Sequence, residues 1–362
     1  MAHFSASKVV SIFVFATIAF AIYALLHTAL VIYLSAQFGW QIGWLFWILG
    51  VGSVASFIVS HGRHNRFTMW FYRCGMLWMG FVVVCCIVLL PVWLVSLVGV
   101  SIPVWAVFGT ACALAIGGVI AATNPRLKTI TLPMQGITKP TTIVQISDAH
   151  IGDVHGPLFL QKLVRMANAR KPDVVVITGD LFDGSGRLYQ HMIDPLSELE
   201  APALFITGNH EVYEGVHRTT SMVKEYKIKV LDDQIATVAG IQFVGLSYPI
   251  DLGDDKHRAI LLLAKRVDRS RPIVLLRHEP KRLDDAVYLG ADLMLSGHTH
   301  NGQIFPFNVV VKLFYEHAVG LHKKEDTWIY ITPGAGTWGP PYRIGSRAEI
   351  VEFRLVPVRG RR

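Results

Sequence analysis

Seven side chains able to bind a metal stand at the ends of five short, mostly β-branched or aliphatic runs. Ile143-Val144-Gln145-Ile146-Ser147 leads into Asp148-Ala149-His150, and Val174–Thr178 leads into Gly179-Asp180, with Asp183 following. Leu204-Phe205-Ile206-Thr207 leads into Gly208-Asn209-His210-Glu211. Ile273–Arg277 ends at His278, and Leu293–Ser296 runs into Gly297-His298-Thr299-His300. Any one of these pieces alone is an ordinary polar turn. Five in succession at strand ends are a different matter, because ligands of open α/β sheets gather beyond the carboxyl ends of the strands. Asp148, His150, Asp180, Asn209, His278, His298 and His300 would then meet on one rim.

Their chemistry narrows the ligand. Nitrogen and oxygen donors without thiolate suit Mn, Fe, Zn or Co better than Ca or Mg, which prefer oxygen alone. Seven donors suffice for two divalent ions, with a carboxylate such as Asp180 between them. Two ions roughly 3.5–4 Å apart form the clamp of phosphoryl hydrolysis, where they activate a water and neutralise charge on the transferred group. Glycines 179, 208 and 297 are expected to let the backbone turn just before each ligand.

In this order the motifs resemble the calcineurin-like metallophosphoesterases: Asp-x-His, Gly-Asp-x-x-Asp, Gly-Asn-His-Glu, His, and Gly-His-x-His. The resemblance covers about 125–356 and implies a β-sandwich flanked by helices. It implies one metal on Asp148, His150, Asp180 and His300, and a second on Asp180, Asn209, His278 and His298. His210 would contact the phosphate and act as general acid, Glu211 would orient or tune His210, and Asp183 would support the loop after Asp180. Gly297-His298-Thr299-His300-Asn301-Gly302-Gln303 is similar to the membrane-anchored branch of that family, with Asn301 where a Gly is usual. Asn tolerates left-handed backbone well, so little disturbance is expected. Some members of the superfamily cleave UDP-2,3-diacylglucosamine, which makes that compound, or a phospholipid, a candidate substrate.

The elements that must position these residues follow from patterning. After Pro125, short strands alternate with amphipathic stretches such as 158–170, as in a layered α/β domain. Before it the chain differs in kind. Of 362 residues 52% are hydrophobic and 17% charged, against about a quarter charged in ordinary soluble proteins, which excludes a disordered or wholly soluble chain. Residues 1–147 hold no Asp or Glu and seven of the 34 Lys and Arg, so the remaining 27 face 26 acids. The formal charge of +8 therefore belongs to the flanks of apolar segments and marks membrane topology rather than a nucleic-acid surface. All four cysteines lie in 74–112, which leaves the charged half without disulfides or thiolate ligands.

Four stretches are long enough to span a bilayer, 9–34, 40–60, 69–98 and 102–122, with Trp40, Trp70 and Trp105 near their ends. The first is too long for the core of a signal peptide. Pro91 should kink the third span or mark its end. Lys8, Arg63, Arg66, Arg126 and Lys128 fall on one side, which predicts an integral membrane protein with both termini and the charged half in the cytoplasm. His27 and Arg73 are the ionisable residues within the spans; with no acid nearby, structural roles are expected for both, Arg73 by snorkelling.

The expected architecture is a transmembrane four-helix region at 1–124 followed by a metallophosphoesterase sandwich at 125–362. Its partners would be the lipid bilayer and an amphiphilic phosphorylated substrate. Arg343, in the Gly/Pro-rich stretch 334–345, and Arg277 could reach a substrate phosphate, although strand alternation turns Arg277 away from His278. Trp338, Pro340 and Pro341 could form an apolar lip. His155, His191, His217, His257, His317 and His322 follow no strand-end pattern and are expected on the surface or in loops. Two other readings stay open: a phosphodiesterase for soluble nucleotides that uses the spans only as a tether, and a non-catalytic ligand-binding receptor.

Overall fold

The computed structural model describes residues 6–62, 65–184, 188–249 and 256–358. Four long helices come first: α1 (Ala6–Phe38), α2 (Trp40–Gly62), α3 (Arg66–Ser96) and α4 (Val104–Thr123). Each contains a stretch long and apolar enough to cross a membrane. At 1.5 Å per residue α4 is about 30 Å long and α3 about 46 Å, so α3 outreaches a bilayer core. Pro91 lies inside α3, which continues to Ser96, so it does not end that span. Asn65 and Thr68 start α3 with a reciprocal capping box. Arg63, one of the charges that set the expected topology, lies outside the described residues.

His27 is buried among the rings of Tyr23, Trp47 and Trp78 and fills the space above Gly50. Arg73 departs from simple snorkelling. Its guanidinium lies over Trp70 and its Nε–H donates to the carbonyl of Asp153, tying α3 to the charged half.

That half is a sandwich of two six-stranded sheets. One has the order β1-β12-β2-β3-β4-β5, from β1 (Arg126–Met134), β2 (Thr141–Ile146), β3 (Val174–Thr178), β4 (Ala203–Ile206), β5 (Lys229–Val230) and β12 (Glu349–Pro357). The other has the order β10-β11-β9-β8-β7-β6, from β6 (Gln234–Val238), β7 (Ile241–Leu246), β8 (Ile273–Arg277), β9 (Leu293–Ser296), β10 (Gly320–Lys324) and β11 (Thr327–Ile331). Ile143, Val176, Leu204 and Phe353 of the first sheet pack against Phe243, Leu276, Leu295 and Tyr330 of the second. The strand faces turned outward are covered by helices. α5 (Pro157–Asn168) and α7 (Val216–Lys224) lie on one side, α8 (Lys256–Leu263) and α9 (Asp284–Leu289) on the other, and the short α6 (Asn209–Glu214) and α10 (Phe307–Val310) complete the set. The five sequence runs are β2, β3, β4, β8 and β9. Within each sheet they pair in parallel, β2 with β3, β3 with β4, and β8 with β9, so their carboxyl ends share a direction.

The loop between β11 and β12 reaches back into the helices. Tyr342 and Ile344 join the apolar cluster of Leu30, Val82 and Val107, and the Arg343 amide donates to the Gly118 carbonyl at 3.0 Å.

Candidate metal centre

All seven expected donors converge beyond those strand ends. His150 Nε2 lies 3.0 Å from His300 Nε2 and 3.9 Å from Asp180 Oδ2, and His300 Nε2 is 3.5 Å from Asp148 Oδ1. On the other side, His278 Nε2 is 3.1 Å from Asp180 Oδ2, and Asn209 Oδ1 lies 3.2 Å from His278 Nε2 and 2.8 Å from His298 Nδ1. Donor atoms fall into three groups: Asp148 with His150 and His300, His150 with Asp180 and His210, and Asp180 with His278 and His298. Asp180 links two of them.

The backbone is bent to achieve this. Asp148, His150, Asp180, His298 and His300 all have positive φ, between 47° and 71°. For residues other than glycine this conformation is uncommon and costly, and it concentrates at functional sites. Asn301 shares it at φ 48°. Gly179 (φ 87°) turns as expected, but Gly208 has an extended φ of −107°. What Gly208 supplies is room: a Cβ would stand 2.2 Å from Asp180 Oδ1.

Electrostatics keep most donors ready. Burial drives His150 and His300 well below the usual imidazole range and His298 to about 4, leaving neutral rings that offer lone pairs. His278 goes the other way. Burial pulls it down, but Asp180 and Asp148 raise it to about 10. Its Nδ1–H donates to the Thr178 carbonyl at 2.8 Å, which aims Nε2 at Asp180. Burial pushes Asp148 up to about 6, whereas His278 and His210 hold Asp180 well below the carboxylate range despite burial. A buried pocket in which carboxylates, the neutral rings of His150, His298 and His300, and the His278 ring aimed at Asp180 converge on one shared carboxylate fits divalent cations.

Around the donors the structure revises several expectations. His210 Nδ1–H donates to the Asp183 carbonyl, its amide donates to Asp180 Oδ1 at 2.9 Å, and its Nε2 is 4.0 Å from Asp180 Oδ2. Glu211 does not orient His210. Its fully buried carboxylate accepts from the amides of Asp180 (2.9 Å), Leu181 (2.9 Å), Phe182 (3.2 Å) and Gly208 (2.6 Å), clamping the Asp180 loop to the Asn209 turn. Burial and then Asp180 push Glu211 up to about 7, while the amides of Gly208 and Phe182 pull it back.

Both arginines are engaged by groups of the protein itself. Arg277 pairs with Asp285 at 3.0 Å on the α9 side, away from the centre, as strand alternation requires. Arg343 is 2% exposed, and its guanidinium donates to the carbonyls of Pro333 (2.7 Å) and Gly336 (2.5 Å), to Ser346 Oγ (2.9 Å) and toward His300 Nδ1 (3.3 Å). It is a strut behind His300.

His155, expected on the surface or in a loop, lies in the loop between β2 and α5 but is buried there, sharing a hydrogen bond of 2.7 Å with Thr337 Oγ1. No sequence signal marks it, since its partner is 182 residues away. Trp338 is 47% exposed with its ring 6.4 Å from that of His210, and Pro340 and Tyr342 turn into the helices instead.

A family model, calcineurin-like phosphoesterase, matches residues 141–302. Over 246 residues the chain is 31% identical to YkuE, an uncharacterized metallophosphoesterase of Bacillus subtilis, covering 59% of this chain and 78% of that protein. The chain belongs to the calcineurin-like phosphoesterase family. Among other relatives, an uncharacterized metallophosphoesterase of Helicobacter pylori is 33% identical over 239 residues, 65% of each chain. A transmembrane protein with metallophosphoesterase domain from Bos taurus is 32% identical over 279 residues, 70% of this chain and 62% of that one. The chain thus spans just under two thirds of the length of these last two phosphoesterase relatives.

Proposed function

We propose that this chain is a membrane-anchored hydrolase of a phosphodiester or pyrophosphate bond, with 1–124 as membrane region and 125–362 as catalytic unit. The observation that carries this reading is the linking of two donor groups through the buried carboxylate of Asp180. Asp148, His150, Asp180 and His300 would hold one divalent ion, and Asp180, Asn209, His278 and His298 the other, with Mn, Fe or Zn best suited to the donors. When bound, such a pair supplies an activated water and neutralises charge on the phosphoryl group.

The chain's own residues complete the chemistry. The Asp183 carbonyl fixes His210 by Nδ1–H, so Nε2 faces the donors and can carry a proton to the departing oxygen. Glu211 keeps Asp180 and Asn209 in register. An amphiphilic substrate, such as UDP-2,3-diacylglucosamine or a phospholipid, is favoured by the apolar surroundings. The segment 305–314 leaves the helix cluster after Ile304 and exposes Phe305, Phe307, Val309, Leu313 and Phe314. It ends beside Tyr315, whose ring is 6.1 Å from His298. Arg66, Arg126 and Lys128 on one side of the spans support a cytoplasmic centre.

The test is hydrolysis of a chromogenic phosphodiester by purified full-length protein with Mn²⁺, followed by a panel of lipid-linked and soluble nucleotide substrates. Asp180→Asn should lose at least about a thousandfold in kcat together with bound metal. Full activity in that variant refutes the assignment, and preference for the soluble panel refutes the amphiphile.

A further inference from the structure

A second polar cavity, of about 310 Å³, opens where the chain leaves the membrane helices. Arg126, Lys128, Arg347, Glu349, Asn301 and Ser346 line it. Arg126 comes three residues after the last residue of α4, and Lys128 two further along β1, so both project from one face of the strand. The one acid among the lining residues is Glu349, already engaged by Arg126 at 3.2 Å and by the hydroxyl of Tyr330. Three cations against one carboxylate leave the cavity with a net charge of +2. Arg126 uses Nε and one Nη on that carboxylate and keeps its other N–H groups for an acceptor. Nothing in the hydrolytic reading uses this cavity.

Its neighbours indicate the source of the anion. Gly345 forms part of the wall, and a Cβ there would meet Asn308 Nδ2 at 2.9 Å and Phe305 Cβ at 3.6 Å. Behind that wall runs the apolar segment with Leu313 80% and Phe314 72% exposed. Ile344, adjoining Gly345, packs over Gly118 of α4. A basic cavity therefore borders an exposed apolar strip that is continuous with the membrane helices.

We propose that this cavity binds the phosphate of an anionic phospholipid of the surrounding leaflet, with its acyl chains along 305–314. Arginine forks match phosphate, and anionic leaflets attract basic groups at the membrane surface. The inference rests on the helices crossing a bilayer; it shares the apolar segment 305–314 with the amphiphile reading, but its basic cavity binds phosphate whether or not the metal centre hydrolyses a lipid.

The experiment uses full-length protein in neutral detergent, titrated with short-chain phosphatidylglycerol, phosphatidylcholine, glycerophosphoglycerol or inorganic phosphate, with the thermal midpoint as readout. Wild type should be stabilised by phosphatidylglycerol far more than by the other three. In Lys128→Gln/Arg347→Gln the apparent affinity for phosphatidylglycerol should fall about tenfold or more. Arg126 is retained because Glu349 needs it. Leu313→Ser/Phe314→Ser, two exposed positions, should weaken phosphatidylglycerol and leave phosphate unchanged. Arg347→Gln alone, at an exposed position, serves if the double variant melts early without ligand, and should still lose severalfold. Unchanged phosphatidylglycerol affinity in the basic variants overturns the proposal, as does equal stabilisation by phosphatidylcholine. Equal stabilisation by glycerophosphoglycerol or phosphate overturns the lipid as occupant.

Discussion

Tyr342 fills the space that a side chain at Gly80 would need. A Cβ on Gly80 would stand 2.2 Å from its Cδ2, and its hydroxyl donates to the Leu77 carbonyl at 2.8 Å. Gly80 lies within the apolar helix α3, whereas Tyr342 precedes the arginine that backs His300. Through this contact α3 packs directly against the loop that places Arg343 behind His300.

Gly80→Leu should therefore act at a distance. Forcing Tyr342 out costs about 1–3 kcal/mol by overpacking. Because Arg343 follows directly, kcat should also fall by about tenfold, a displacement effect of the size that misplaced active groups produce. Tyr342→Phe keeps the ring and loses one hydrogen bond, about 1 kcal/mol, with kcat within twofold of wild type. Thermal melts and chromogenic diester assays on the two variants check this. Equal kcat in both would show that the seam does not reach the centre.

Arg343 supplies the next prediction. Its planar fork serves several carbonyls and Ser346 at once, and a lysine ammonium cannot reproduce that geometry. Arg343→Lys should weaken metal affinity by about 10–100-fold, the usual effect of losing a partner behind a ligand. With metal in excess, KM should stay near wild type because the guanidinium is buried against carbonyls of the protein. A raised KM with unchanged metal affinity would restore the substrate-contact role expected from sequence.

Arg343 also illustrates what could be read in the sequence. The donors were legible because each follows a short strand, and strand ends of one sheet direction must share a rim. The roles of arginines were not, since an Arg among glycines looks the same whether it faces a phosphate or a ring of carbonyls. Glu211 was misread for a related reason. The family resemblance implied that it orients or tunes His210, but on the first turn of α6 its carboxylate points back toward the amides of 180–182. His155 was invisible because tertiary contact alone buries it. Four apolar spans could be counted from composition. Their seam with the sandwich depends on two glycines, 80 and 118, that local patterning does not distinguish from any others.

Glu211 and His210 can be separated experimentally. Glu211→Gln keeps the shape but presents an NH₂ to backbone amides, stranding at least one of four buried donors at a cost of about 1–3 kcal/mol. It should lower thermal stability and metal content together. His210→Gln should retain both and lose about 10²–10⁴ in kcat, the usual contribution of a general acid. Metal analysis beside kinetics distinguishes them, and loss of metal from His210→Gln would make that residue a ligand.

Glu214 gives the pH dependence. Burial pushes its carboxyl from 4.5 up to about 7, Arg218 opposes this, and Asp183 adds to it. Arg218 is weak opposition, since its nearest nitrogen is 3.9 Å away and half-exposed. A carboxyl whose pKa is raised on folding binds its proton more tightly in the native state, so its stabilising share is complete below about 4.5. That share is lost as pH climbs through about 7, where the native state must hold a buried charge. Glu214→Gln removes the titration. Its melting temperature should match wild type near pH 4.5 and exceed it at pH 8, by the equivalent of about 1–2 kcal/mol once the Arg218 pair is discounted. Melts of both proteins from pH 4.5 to 8.5 measure the difference directly. A gap that narrows as pH rises would mean that Glu214 is held in its charged form by the fold, with Arg218 the stronger influence.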